Sequence, residues 1–157
     1  MSQRLRFLLD TNILIPLQDS MLVLEPSLAN FVRLAGVGGH QLLYPPASIA
    51  DIERDKDVHR RARTLARLPQ YTRLNDAPPS PKNAAQTTAN DACDNDILHA
   101  LECSAVHALV TEDKEIHTKA RQVGLGDRVY NIQTAEDRSG SVCLNRFPRK
   151  ISGSLTG

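Results

Sequence analysis

Short apolar segments that end at acidic or hydroxyl residues recur along this chain, and segments of helical spacing lie between them. Residues 5–9 lead into Asp10, and residues 107–110 lead into Thr111 and then Asp113. Apolar runs of this length with polar borders are typical of strands that are buried on both faces of a sheet. The alternation of such strands with helices predicts an α/β fold, a three-layer sandwich in which helices flank a central parallel sheet.

The predicted elements follow from hydrophobic spacing and from turn residues. Four strands are predicted, and residues 71–74 allow a fifth. The segment 75–91 contains Pro78, Pro79 and Pro81, which break regular structure, so it is predicted to be a loop. The predicted strands are 5–9, 41–44, 107–110 and 129–132, and the predicted helices are 27–35, 48–68, 94–105, 115–123 and one that starts within 133–137.

The length of 157 residues suits one domain with a substantial core. We expect that domain to span residues 1–140 and residues 141–157 to form a tail or the start of a linker, because the hydrophobic pattern fades after Gly140. The three cysteines are widely spaced and form no CxxC motif, so the sequence suggests no disulfide framework. Such cysteine usage fits a protein of the reducing cytosol. No apolar stretch is long enough for a membrane span or a signal peptide, so a cytoplasmic protein without a membrane partner is expected.

Basic side chains are concentrated in clusters, although the formal net charge is only +1. Between Arg54 and Arg73, seven basic residues oppose two aspartates, a local net charge of +5. A second cluster contains Lys114, His117, Lys119 and Arg121. Positive stripes beside an acidic crevice would suit a polyanion such as RNA, whereas a solvated helix face is the structural alternative for each cluster.

Four aspartates stand at the ends of hydrophobic segments. Asp10, Asp51 and Asp113 follow strand-like segments, and Asp94 opens an apolar helix pattern. The carboxyl ends of parallel strands line one crevice, and ligands bind there. Carboxylates brought together in a crevice repel one another unless a cation neutralises them, and oxygen ligands of this kind suit Mg²⁺ or Mn²⁺. Such sites commonly serve phosphoryl chemistry. The structural alternative for Asp10 is to cap the helix that follows it.

Two segments resemble the motifs of PIN domains. Residues 8–15 (LLDTNILI) resemble the opening motif, and residues 109–114 (LVTEDK) resemble the distal motif of a strand, a threonine and an aspartate. A helix preceded by acids lies between them, as in that family, and the resemblance covers residues 5–132. It implies a metal-dependent nuclease fold that usually acts on RNA. Residues 110–120 are also similar to a bacterial PIN-like subgroup in which a second domain often follows.

The resemblance implies roles for particular residues near the strand ends. Asp10 matches the first metal-binding acid of the family, and Asp113 matches the distal one. Thr111 matches a hydroxyl that supports the distal acid. Asn12 is expected to orient Asp10 or to contact a metal-bound water.

Two residues fit the second acid of the family, which is usually a glutamate before an apolar residue. Asp51 precedes Ile52 but substitutes aspartate, whereas Glu53 has the expected type but precedes a basic residue. Asp51 is favoured by its neighbour, and Glu53 stays the alternative. The third acid opens a helix and precedes an aliphatic residue by three positions, which fits Asp94. Asp96 is a supporting or alternative acid, although it points about 200° away from Asp94 around that helix. Its structural alternative is to complement the helix dipole.

The implied function is an endoribonuclease that hydrolyses phosphodiester bonds, with Mg²⁺ or Mn²⁺ activating water and without a Ser or Cys nucleophile. Arg54, Lys56 and Lys114 are expected to hold the backbone of single-stranded RNA. Two biological roles fit this activity. One is a toxin restrained by an antitoxin, and the other is a processing or defence nuclease with a fused downstream domain. PIN-like domains often pair, so a homodimer is also expected.

Other functions fit the motifs less well. A degenerate PIN domain that binds RNA or docks a protein without catalysis is the main alternative, because the second acid departs from the family pattern. A haloacid-dehalogenase-type phosphatase needs Asp-x-Asp after the first strand, and this chain has Asn12 at the second of those positions. Neither a GxxxxGK-type phosphate loop nor a GxGxxG motif occurs, and the histidines lack the spacing of a zinc site.

Overall fold

The computed structural model describes residues 4–18, 25–77, 80 and 89–146. Within these residues the chain forms a five-stranded sheet in which neighbouring strands run parallel. The strands are β1 Arg6–Leu9, β2 Gln41–Tyr44, β3 Thr72–Arg73, β4 Ala108–Val110 and β5 Val129–Tyr130. Their order across the sheet is β3-β2-β1-β4-β5. The four predicted strands are confirmed, and so is the fifth near residues 71–74.

Seven α-helices lie within the described part of the chain, so the predicted α/β class is confirmed. Short 3-10 turns at Leu68–Gln70 and Gly126–Arg128 precede β3 and β5. The helices are α1 Thr11–Gln18, α2 Pro26–Gly38, α3 Ala47–Glu53, α4 Val58–Arg67, α5 Ala89–Glu102, α6 Lys114–Gln122 and α7 Ile132–Arg146.

Alternate side chains of β1 belong to two separate cores, one on each face of the sheet. Phe7 and Leu9 are fully buried in a core that includes residues of α1, α2, α3 and α7. Leu8 is fully buried in a second core that includes residues of α5 and α6. Because β1 is central, Leu8 pairs with Leu43 on one side and with Leu109 on the other. This arrangement accounts for the unbroken apolar run of the first strand.

The single helix predicted for residues 48–68 is wrong, because the chain forms α3 and α4 with a break between them. Asp57 caps α4 by accepting a hydrogen bond from the Arg60 backbone N–H at 3.0 Å. The Asp55 carboxylate accepts from the Arg60 guanidinium at 2.6 and 2.7 Å and from the Asp57 backbone N–H at 3.0 Å. The two aspartates of the basic segment therefore organise a helix boundary.

Two further boundaries differ from the sequence analysis. Helix α5 begins at Ala89, so the end of the predicted loop 75–91 is helical, while residues 78, 79 and 81–88 lie outside the described residues. Helix α7 continues to Arg146, past Gly140, and residues 147–157 lie outside the described residues. In the described part of the chain, no helix combines the length and apolar character needed to cross a membrane.

The direction of strand order reverses between β1 and β4. The chain passes from β1 to β2 and β3 on one side of the sheet, and then to β4 and β5 on the other. Open α/β sheets bind ligands at such a reversal, beyond the carboxyl ends of the strands. Asp10 follows β1 directly, and Asp113 follows β4 after two residues, so the topology delivers both to this position.

Candidate metal centre

A crevice of about 550 Å³ lies beyond the carboxyl ends of β1, β2 and β4. Ile15, Ile97 and Ile116 contribute apolar parts of its wall. The crevice falls within the size range of small-ligand sites. The four aspartates singled out in the sequence all line it: Asp10, Asp51, Asp94 and Asp113.

Asp10 is held by hydrogen bonds from uncharged donors at the end of β1. Its carboxylate accepts from the backbone N–H of Thr11 and from the hydroxyl of Thr111, both at 2.8 Å. The amide of Asn12 donates to it at 3.2 Å. Burial raises the pKa of the Asp10 carboxyl, and the charges of Asp113 and Asp94 raise it further, while the bonds from Thr111 and Thr11 oppose the rise.

The Thr111 hydroxyl connects the two predicted motifs. Thr111 is fully buried, and while it donates to Asp10 it accepts from the Asn12 amide at 3.2 Å and from the Asp113 backbone N–H at 3.1 Å. One donated and two accepted bonds use the full capacity of a hydroxyl. Asn12 also accepts from the backbone N–H of Glu112 at 3.3 Å. Of the two roles expected for Asn12, orientation of Asp10 is the one that these contacts describe.

Asp113 lies at the crevice because it caps α6. Its carboxylate accepts from the Glu115 backbone N–H at 2.9 Å. Glu115 also lines the crevice, although the sequence analysis did not select it. Its position two residues after Asp113, in the first turn of α6, is the sequence signal that could have identified it.

Asp94 forms an ion pair with a lysine from α6. The Lys119 ammonium donates to Asp94 at 2.9 Å and lies 3.5 Å from the Glu115 carboxylate. Burial raises the pKa of the Asp94 carboxyl, and Lys119 opposes that rise. In the sequence, Lys119 stood out only as a member of a basic cluster. Its partner is 25 residues away, so local spacing could not reveal the pair.

Asp51 occupies another part of the crevice wall. It accepts a hydrogen bond from the Thr11 hydroxyl at 3.1 Å, and that hydroxyl also contacts the buried Ser48 at 2.9 Å. Its other carboxylate oxygen is paired with Arg54. Arg54 therefore neutralises a crevice acid, in addition to the substrate-binding role predicted for it.

The alternative acids of the sequence analysis do not line the crevice. Glu53 is exposed at the end of α3. Asp96 accepts from the Ser80 backbone N–H at 2.8 Å, which directs it away from Asp94 as helical geometry required. Lys56 is exposed and does not line the crevice. Lys114 lies on the far side of α6, in a separate groove.

The donor set matches a hard divalent cation in chemistry, because it consists of carboxylate oxygens with excess negative charge. As placed, however, no three Asp, Glu, His or Cys side chains of the described residues form a ready metal-binding group. Lys119 and Arg54 supply cations to Asp94 and Asp51 instead. The residue types suit Mg²⁺ or Mn²⁺, whereas their placement, with Asp94 and Asp51 paired to basic side chains, does not form a metal-binding group within the described residues.

Comparison with protein-family models and with curated proteins finds no match for this chain. The likeness to PIN domains consequently depends on the motifs around Asp10 and Asp113. The geometry of the crevice is the other guide to function.

Proposed function

We propose that this chain is a metal-dependent endoribonuclease that hydrolyses phosphodiester bonds in RNA. The observation that carries the proposal is the presence of four aspartates, from four separate parts of the sequence, in one crevice at the strand-order reversal. Burial raises the pKa of the Asp10 carboxyl, and the charges of Asp113 and Asp94 raise it further, so a cation bound beside Asp10 would stabilise its charged form. The resemblance to PIN domains supports RNA as the substrate.

Asp10, Asp94 and Asp113 are the residues proposed to hold the metal, with Asp51 completing the set. A divalent cation held there supplies Lewis acidity and lowers the pKa of water. The Thr111 hydroxyl keeps one Asp10 oxygen directed, and the Glu115 backbone N–H does the same for Asp113. These bonds fix the carboxylates before substrate arrives, so little reorganisation is needed.

Lys119 is proposed to act as a counter-charge that the metal displaces. In the absence of metal it neutralises Asp94, which lowers the cost of collecting acids in a partly buried crevice. After release from Asp94, the ammonium can remain paired with Glu115 and contact a phosphate oxygen of the substrate from there.

A non-catalytic RNA-binding or docking module is the second candidate. The ion pairs Asp94–Lys119 and Asp51–Arg54 favour it, because they neutralise the crevice without a metal. The two candidates differ in Mn²⁺ binding and in cleavage, which only the first requires.

The test is incubation of the chain with single-stranded RNA, with Mn²⁺ or with EDTA, for the unchanged protein and for Asp10→Asn. We expect metal-dependent cleavage that Asp10→Asn reduces at least about 100-fold, because a metal-binding charge is lost. Asp127→Asn is the matched control, since Asp127 is exposed and lies outside the crevice. Cleavage in EDTA, or full activity of Asp10→Asn, contradicts the proposal.

A further inference from the structure

Helix α6 separates the acidic crevice from a second cavity. Glu115 and Ile116 line the crevice, whereas other residues of the same helix line a groove of about 560 Å³ on the opposite side. We call this cavity the α6 groove. Its described lining residues are Glu112, Lys114, His117, Thr118, Arg121 and Asn131.

The basic residues of the α6 groove form one stripe. Lys114, His117 and Arg121 are three and seven positions apart, so they share a face of the helix, and the stripe is about 10 Å long. Lys114 and Arg121 are exposed, and within the described residues neither forms an ion pair. The carboxylate of Glu112 accepts from the Ile132 backbone N–H at 3.0 Å, at the start of α7. Lys114 and Arg121 outnumber the single carboxylate of Glu112, so the described lining of the groove has a net positive charge.

The groove and the crevice share a wall. Asp113 faces the crevice, while Glu112 and Lys114 on either side of it face the groove. The His117 ring is fixed by a hydrogen bond between Nε2 and the Thr111 carbonyl at 2.8 Å. The same Thr111 holds Asp10 through its hydroxyl. Consecutive residues at the start of α6 therefore line the two cavities in turn.

Several other basic side chains are engaged in structural contacts. Arg54 is paired with Asp51, and Arg60 is paired with Asp55. Arg61 donates to the Asp55 carbonyl at 3.2 Å. These arginines of the most basic segment hold the boundary between α3 and α4. The α6 groove therefore offers cations that internal carboxylates do not already use.

We propose that the α6 groove binds the sugar–phosphate backbone of single-stranded RNA beyond the bond that is cut. The inference rests on the proposed function for the identity of the polymer, but the binding itself needs no metal. Lys114 and Arg121 contact successive parts of the backbone, because their separation along the helix leaves room for more than one phosphate. The contacts involve phosphate rather than bases, so binding depends strongly on salt and weakly on sequence.

The test is binding of a fluorescein-labelled single-stranded oligouridylate by the full chain in EDTA, followed by anisotropy over a range of salt concentrations. We expect Lys114→Gln/Arg121→Gln to bind about tenfold more weakly at low salt, with the slope of log K against log salt reduced by about 1.4. The matched control is Arg4→Gln/Arg33→Gln, which removes the same charge at exposed positions outside the groove. The control is expected to bind like the unchanged chain, and all variants to keep its melting temperature.

Several results overturn the inference: no RNA binding by the unchanged chain, undiminished binding by the groove variant, or an equal loss in the control. The first two of these results are still compatible with the nuclease proposal if the unchanged chain shows Mn²⁺-dependent cleavage. Selective loss of binding in the groove variant supports the inference even where the unchanged chain cleaves nothing, and in that case only the nuclease proposal fails.

Discussion

The carboxyl ends of the strands form one edge of the central sheet, and their amino ends form the other. These two edges use polar side chains in opposite ways. At the carboxyl edge, Thr111 and Asn12 hold Asp10 but leave its charge facing a crevice. At the amino edge, His40 and His107 precede β2 and β4 and accept hydrogen bonds from Arg6 at the start of β1 and from the residue before it. The donors are the backbone N–H groups of Leu5, at 2.9 Å to His40 Nδ1, and Arg6, at 2.8 Å to His107 Nδ1.

The difference shows how a polar residue beside a buried strand can be either structural or functional. An imidazole nitrogen that accepts from a strand N–H satisfies a backbone group that would otherwise lose its partner. A carboxylate whose pKa is raised by burial has a charged form that the folded state disfavours, and a bound cation can stabilise that charged form. Substitutions at the two edges should therefore differ in whether they change metal binding or only stability.

Among substitutions that keep all four crevice aspartates, the largest expected effect is that of Thr111→Val, which removes the hydroxyl shared by Asp10, Asn12 and Asp113 without changing side-chain size. We expect RNA cleavage to fall about 10- to 100-fold. The free energy of unfolding should also fall by about 1–3 kcal/mol, because the Asp113 N–H loses its partner. Thr134→Val on α7 is the matched control. Wild-type cleavage by Thr111→Val would mean that this hydroxyl does not position the acids.

Lys119→Met tests whether the ammonium competes with metal for Asp94. Removing the competing cation should tighten Mn²⁺ binding about tenfold, equivalent to about 1.4 kcal/mol, as measured by calorimetric titration. Lys114→Met, on the groove side of the same helix, should leave Mn²⁺ affinity unchanged. Equal or weaker binding by Lys119→Met would show that Lys119 is not displaced.

The raised pKa of Asp10 predicts a pH-dependent stability difference between the metal-free chain and Asp10→Asn. Burial, the largest cause, favours the protonated form in the folded state. The resulting stability is present below the unfolded value of 3.8 and is lost as pH rises through the folded pKa. The free energy of unfolding of Asp10→Asn should therefore increase relative to that of the unchanged chain between acid and neutral pH.

Urea unfolding at a series of pH values measures this difference, and Asp127→Asn is the control. A difference that stays constant with pH for Asp10→Asn would show that the folded state does not disfavour the Asp10 charge.

The smallest expected effect is at the amino edge. Burial lowers the pKa of the His107 imidazole, and the charges of Arg128 and Arg6 lower it further. The unfolded state therefore takes up a proton first, so stability decreases as pH falls below 6.5 until the folded pKa is reached. His107→Asn keeps a hydrogen-bond acceptor but should lose this dependence, whereas the exposed His59→Asn should retain it. Neither variant should alter Mn²⁺ affinity. A change in Mn²⁺ affinity for His107→Asn would contradict the expectation that the amino edge affects only stability.

Much of the fold could be predicted because it depends on local patterns. Strand positions follow from short apolar runs, and helix positions follow from spacing near 3.6 residues. The break between α3 and α4 was missed because Asp55 and Asp57 look like ordinary charges within a basic helix. Asp57 acts as the cap of α4 and Asp55 as the partner of Arg60. These contacts form only in the three-dimensional structure of the break.

The sequence by itself determined the strands and the parallel α/β class, and it predicted the aspartates that line the crevice while leaving Glu53 as an alternative to Asp51. Hydrophobic alternation is encoded residue by residue, and the ends of parallel strands must meet at one edge. Tertiary structure alone decided which side chains neutralise those acids and where the free cations lie. Lys119 reaches Asp94, and Lys114 faces the α6 groove, because α6 packs beside α5 and β4. Electrostatic energy depends on distance in space, which sequence separation does not specify.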